Sequence, residues 1–426
     1  MSDVASSALP TVDIGQGLSY GALGLPLAFV ALPLYVVLPN HYATAFGVPL
    51  AALGIVLLGA RLLDALADPW IGRWADAWFA HSTRRVLAVG TGAAIVLALG
   101  FHALFFPPVR DTSALLIWCA GVLAVTYFSY SVLSVLHQAW GARLGGNAPQ
   151  RARVVAWREG LALAGVLVAS VLPSMAGLSA TSAVFALALA CGIGLLALAP
   201  RAAPARMQQR APSMHLPLAN PAFRRLLLVF MVNGVASALP ATLVLFFIRD
   251  RLQLPSYEPM FLFSYFAAGA LSMLLWVRAV ARFGLARSWL AGMLLAIAAF
   301  IWAVALGPGD LIGFTLVCVA SGLALGADLA LPGAMLAGVI QKAGHAGHAE
   351  GAYFGWWNFA IKLNLALAAG LALPLLGRLG YAPGSRDDAA LFALALAYGL
   401  LPCALKLLAA ALLFFTWMRT PHGDAT

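Results

Sequence analysis

Two aspartates, Asp64 and Asp68, stand four residues apart in the apolar run Arg61-Leu-Leu-Asp64-Ala-Leu-Ala-Asp68-Pro69. On a helix this spacing puts both carboxylates on one face, with Arg61 one turn before Asp64 on the same side. Two carboxylates this close repel unless a cation, a proton or an arginine compensates them. The pair predicts a cation or proton site; the alternative is an ion-pair cluster closed by Arg61 and neighbouring loop arginines. A charge at the centre of a bilayer costs about 2.5–3.5 kcal/mol, so each one in an apolar run needs a partner or a wet cavity.

Other apolar runs carry similar exceptions. Ser134, His137, Gln138 and Trp140 share one stretch. His137 could relay protons, because an unperturbed imidazole titrates at about pH 6.5; the alternative is a hydrogen-bonded packing residue. Arg158, beside Trp157, could clamp an anionic or hydroxyl-bearing ligand, or snorkel to the headgroups. Its neighbour Glu159 should point elsewhere, since adjacent helix residues diverge. Asp328 lies in Gly326-Ala-Asp-Leu-Ala-Leu-Pro332, where glycine and proline loosen a helix and free its carbonyls. Lys362 is central in its run, and Lys406 follows Pro402. We expect Asp328 and Lys362 to face the cavity of Asp64 and Asp68, with Lys362 pairing with a carboxylate when the ion is absent; a static Lys–Asp bridge is the alternative. Trp140 and Trp356 are candidates to stack on a polar organic substrate, whereas Trp74, Trp78, Trp289 and Trp417 are assigned to the interfacial aromatic belt.

The elements that must position these residues are membrane spans. Of 426 residues, 63% are hydrophobic and 9% charged, against about 25% charged in a soluble domain. Twelve apolar runs are long enough to cross about 30 Å of hydrocarbon: 17–39, 49–71, 86–106, 114–142, 154–177, 180–200, 224–248, 260–281, 287–307, 311–340, 352–377 and 389–418. One alternate set of connections and the tail hold sixteen Lys and Arg; the other set holds Arg110, Arg249, Arg251, Arg378 and Arg386. The positive-inside rule then puts both termini in the cytoplasm, which requires an even number of spans. The polar N-terminus, Met1 to Gln16, lacks the pattern of a cleaved signal, so the first run is expected to be retained.

The basic, proline-interrupted stretch 201–221, with Arg201, Pro204, Arg206, Arg210, Pro212 and Pro217, separates an N-terminal bundle, 1–200, from a C-terminal one, 222–426. Six plus six spans around a cytoplasmic linker is the major facilitator plan, with the substrate site between the halves. The net charge of +10 does not indicate nucleic acid, because the arginines lie in short connections rather than on one polar face. Cys119, Cys191, Cys318 and Cys403 each stand alone in an apolar run and read as packed thiols rather than disulfides or zinc ligands. No HExxH, nucleophile elbow or phosphate loop occurs, which argues against a membrane enzyme.

Three segments carry a family resemblance: Leu18-Ser-Tyr-Gly21; Arg61 to Asp76, with its Asp64, Asp68, Pro69, Gly72 and Asp76; and Glu350-Gly-Ala-Tyr-Phe-Gly355 followed by Lys362. The chain resembles the glycoside–pentoside–hexuronide:cation symporters, the melibiose permease-like family of the major facilitator superfamily. The resemblance implies that Asp64 and Asp68, with Ser134 as a hydroxyl ligand, bind a coupling cation, sodium or proton. It implies that Arg158 and Lys362 line the cavity. There are departures: Ala28 and His137 stand where sugar-holding acids are expected, Ala67 replaces an asparagine, and the tenth span ends with Ala337-Gly338 and Gln341-Lys342.

The fold class expected is therefore all-α, with twelve transmembrane helices in two halves. The expected function is secondary transport of a small organic solute across a bacterial inner membrane by a monomer needing no cofactor, in cation symport. The alternative substrate is a lysolipid or another amphipathic molecule.

Overall fold

The computed structural model describes residues 13–201, 213–382 and 384–419. The termini and the centre of the expected linker, with Pro204, Arg206, Arg210 and Pro212, lie outside the described residues. The described chain is helical, and eight of its helical stretches are long and apolar enough to cross a membrane.

Helix starts follow local chemistry. Asp13, Ser82, Asp111, Asn147, Asn220 and Asp387 each cap a helix with a side-chain oxygen, satisfying N–H groups that have no partner within the helix. Asp13 with Gln16 and Asn147 with Gln150 form reciprocal capping boxes.

Helix α1 covers Ile14–Phe46 and contains a π-turn at Pro33–Val37. Then come α2 (Leu50–His81), α3 (Thr83–Phe105) and α4 (Thr112–Arg143). The next helical stretch, Ala148–Leu198, has 51 residues and as a straight rod would measure about 76 Å. It is broken at Gly177 (φ 78°, ψ 173°), a left-handed conformation that suits glycine. Gly24 of α1 packs on the Arg158 backbone while the adjacent Leu23 packs on Gly192. The chain therefore reverses between these points, giving α5 (148–176) and α6 (178–198). Gly284 (φ 79°, ψ 171°) makes the same reversal in Glu258–Ala303, bringing the Trp276 ring against Gly292. After α7 (Pro221–Arg251) this yields α8 (258–283) and α9 (285–303). Leu311–Lys342 is α10, Glu350–Arg378 is α11 and Asp388–Met418 is α12.

The described residues thus form twelve long helices in two halves of six, with short helical turns at Leu216–Ala219 and Pro255–Tyr257. The second runs ten residues beyond its expected end at 71, because Asp76 is held by a buried arginine there, as described below. The halves meet where α2 packs on α11 and α5 packs on α8 and α10. Gly72 and Gly351 touch backbone to backbone, and a Cβ on either would run into the other's carbonyl oxygen.

Three of the four cysteines are buried and all are free; Cys191 is exposed, contrary to the expectation that it is packed. Trp289 and Trp417 are also buried, so neither belongs to an interfacial belt.

Candidate functional site

Asp64 and Asp68 project from the middle of α2 towards Lys362 of α11, so the two halves meet in one cluster of charge. Lys362 Nζ lies 2.7 Å from Asp64 Oδ2 and 2.8 Å from Asp68 Oδ2. It donates to Asp68 Oδ1 at 2.9 Å, while Oδ2 lacks hydrogen-bond geometry despite its proximity. The fourth-helix hydroxyl in this cluster is Ser131, not Ser134. Ser131 accepts from Lys362 at 2.7 Å and donates to Asp64 Oδ1 at 2.6 Å. Ser134 lies one helical turn further on and accepts from Gln138, which also donates to Asn358 of the opposite half at 2.9 Å. Ser131 and Ser134 are three apart and nearly share a face, so nothing local in the sequence separates them.

Arg61 does not close this cluster. Its guanidinium stacks over the Tyr35 ring at 4.2 Å. With both acids and the lysine ionised, the triad by itself carries one net negative charge. Asp68 is fully buried at its side chain, whereas Lys362 retains 19% exposure. The lysine is thus the most exposed member of the triad.

Asp328 is paired differently from expectation. Its partner is Lys406, at 2.6 Å, rather than Lys362. Asp328 also accepts from Asn233 (3.0 Å), Ser237 (3.1 Å) and the indole of Trp289 (3.0 Å). Lys406 donates to Asn233 and Ser237, each at 3.0 Å, so all three of its protons are used. This second cluster draws on α7, α9, α10 and α12, all from one half. Trp289 and Lys406 would have been found by asking which donors an embedded aspartate needs.

His137 is buried against α1. Its Nε2 lies 2.7 Å from the Tyr20 carbonyl, and Tyr20 donates its hydroxyl to the His137 carbonyl at 3.1 Å. This reciprocal clamp is the packing alternative for His137, although Nδ1 has no partner. Trp140 is buried, donates to the Pro200 carbonyl at 3.0 Å and meets Phe79 edge-on. Trp356 donates to the Met214 carbonyl at 2.8 Å. The two indoles fasten the chain on either side of residues 202–212 instead of offering ring faces to a cavity. Arg158 does not snorkel, and Glu159 does not point away from it. Arg158 Nε and Nη2 both donate to Glu159 Oε1, at 2.9 and 2.6 Å.

A third cluster closes the bundle at the end bearing residues 72–83 and 343–351. Arg143 bridges Asp76 (3.1 Å) and Glu350 (2.9 Å), all three side chains being buried. Asp76 also accepts from the Gly351 and Ala352 amides at 2.7 and 2.8 Å, capping the positive N-terminal end of α11 from the opposite half. Arg151 reaches Gln341 at 2.8 Å beside it. In the nearby loop, burial and the His348 ring push the His345 imidazole below its ordinary pKa, and His345 Nδ1 bonds the Tyr353 hydroxyl at 2.8 Å. The hydrogen bonds between the halves run from Lys362 towards this end, so the halves are sealed here. Among the described residues no three His, Cys, Asp or Glu side chains converge as a metal site.

Comparison with known proteins bears on the family and the fold. The family described as MFS/sugar transport protein matches residues 19–419. The Escherichia coli (strain K12) inner membrane symporter YicJ is 28% identical over 162 residues, covering 37% of this chain and 34% of that protein. The match thus spans about a third of that relative. Among solved structures, a bacterial homologue of the iron transporter ferroportin in an outward-facing state superposes with TM-score 0.70 at 16% identity, over 94% of this chain and 100% of that one. The E. coli fucose:proton symporter FucP (N162A) gives 0.65 at 16%, over 95% and 99%. The human organic anion transporter MFSD10 gives 0.65 at 19%, over 94% and 100%. At these identities the likeness is one of fold.

Proposed function

The chain belongs to the MFS/sugar transport protein family, and from that premise we propose that it is a cation-coupled symporter of a small polar organic solute. The observation that carries this reading is Lys362 of one half lodged between Asp64 and Asp68 of the other. Asp64, Asp68 and Ser131 are the ligands of the coupling ion, sodium or a proton, and Lys362 is its internal stand-in. Without the ion, the lysine cancels one of two carboxylate charges that could not otherwise both stay ionised in a buried site. When the ion arrives, Lys362 is freed, and the bond between the halves loosens or re-forms according to occupancy. That is the condition for coupling ion and solute movement.

The halves are 1–200 and 222–426, joined by the basic linker 201–221, and they rock about the central site. The protein lies in an inner membrane with both termini cytoplasmic and works as a monomer. The cluster of Arg143, Asp76 and Glu350 is then the cytoplasmic closure, and the described conformation is shut on that side. A sealed cytoplasmic end fits a carrier waiting for external solute. Arg158 and the polar group Ser134–Gln138–Asn358 border the solute path, while Asp328 supports it through its own half.

Uptake by proteoliposomes under imposed sodium or proton gradients tests the reading. Asp64→Asn and Asp68→Asn should each abolish ion-driven accumulation while preserving the gel-filtration profile. Ion-driven accumulation that survives both substitutions would refute the assignment.

A further inference from the structure

Arg158 and Glu159 are consecutive on α5, yet they form an ion pair in the bundle interior. Helix geometry separates adjacent side chains by about 100°, and here the carboxylate turns a single oxygen to the Nε–Nη2 edge of the guanidinium. Both Arg158 donors therefore converge on one oxygen, Oε1. The parallel two-oxygen contact that makes arginine–carboxylate pairs strong is not used. The side chains keep 13% and 20% exposure, although α1 packs on one side at Gly24 and α10 lies on the other. Where α10 faces the guanidinium it presents Gly333, at which a Cβ would come into ordinary contact with Nη2 at 3.8 Å. The residual exposure of both side chains leaves the pair open to an incoming group.

We propose that Glu159 is a displaceable internal counter-ion, and that the group displacing it from Arg158 is a carboxylate of the transported solute. An external carboxylate, unconstrained by the α5 backbone, can offer Arg158 two oxygens where Glu159 offers one. A neutral hydroxyl cannot take that place without leaving a buried guanidinium uncompensated. Charge balance agrees, and this part rests on the cation-coupled reading above. Arg158–Glu159 and Lys406–Asp328 are balanced pairs, and Arg61, outside the Asp64–Asp68–Lys362 triad, offsets that triad's net negative charge. One coupling cation leaves the interior with a surplus positive charge, and one monocarboxylate removes it. Glu159 thus sets specificity: it excludes solutes without an acidic group by holding the arginine against them.

The test uses the detergent-purified full chain, with D-gluconate and its neutral counterpart D-glucitol as probes in thermal-shift titrations. Gluconate should stabilise the wild type and glucitol should not. Glu159→Gln, which removes the competitor at constant size, should tighten gluconate binding about tenfold, the scale of one charge-assisted hydrogen bond. Arg158→Gln should remove the response. Glu159→Ala should melt earlier and be rescued by acetate but not by acetamide, which keeps the test valid if the glutamine variant folds poorly. Weaker gluconate binding in Glu159→Gln, equal stabilisation by glucitol, or no response to gluconate in either protein would overturn the proposal. Repeating the titrations in Asp68→Asn separates the two readings: loss of the sodium or pH response with the gluconate preference intact implicates the ion site alone.

Discussion

The protein buries two lysine–aspartate clusters, and they are built on opposite principles. The Asp328–Lys406 cluster is neutral, lies within one half and is saturated: the carboxylate has four donors and the ammonium three acceptors. The Asp64–Asp68–Lys362 cluster is short of one positive charge, spans both halves and leaves Asp68 Oδ2 without a hydrogen bond. A balanced, saturated pair has no reason to change partners, because any change exposes a charge to a poor solvent. An unbalanced cluster across a moving interface has such a reason. Charge in a membrane protein is therefore informative less by its presence than by whether its ledger closes within one rigid body.

Neutralising one lysine at a time should produce the largest contrast. Lys406→Met leaves Asp328 buried without its counter-charge and should cost about 3–5 kcal/mol, the penalty of breaking a buried pair. Adding Asp328→Asn should recover most of that loss. Lys362→Met should cost clearly less, since its carboxylates can take up a proton or cation in place of the ammonium. Thermal and denaturant melts of the variants measure this, and equal costs for the two lysines would erase the distinction.

The serines give a finer and smaller version. Ser237→Ala removes one of several bonds in the saturated cluster and should cost about 1 kcal/mol with no change in ion dependence. Ser131→Ala should leave the melting curve nearly unchanged and weaken ion affinity about tenfold, one hydrogen-bonding ligand's worth. An ion-affinity change in the Ser237 variant would blur the boundary between clusters.

Much of this was legible in the sequence. The number of helices followed from apolar length, and the residues of both clusters announced themselves as charges where charge is expensive. What could not be read was pairing. Lys362 and Lys406 are both single cations in late apolar runs, and only the packing of α7, α10 and α12 decides that Asp328 takes Lys406. Ser131 replaces Ser134 for the same reason: one turn of axial placement of α4 against α2 is invisible within either helix. Trp140 and Trp289 depart from expectation because an indole carries both a ring face and an N–H. In the fold the N–H decides the placement, finding Pro200 and Asp328. Neighbours on a helix diverge, yet the long side chains of Arg158 and Glu159 bend so that two donors share one oxygen.

The account turns on Lys362 being the ion's stand-in, and ion binding to the purified Lys362→Met protein tests that most directly. With the competing ammonium gone and both carboxylates in place, titration with sodium at fixed pH, and with protons in sodium-free buffer, should reveal binding of the coupling ion at least as tight as in the wild type. Loss of all ion binding in this variant, with the fold intact, would mean that Lys362 holds the site together instead of waiting in it, and would contradict the account.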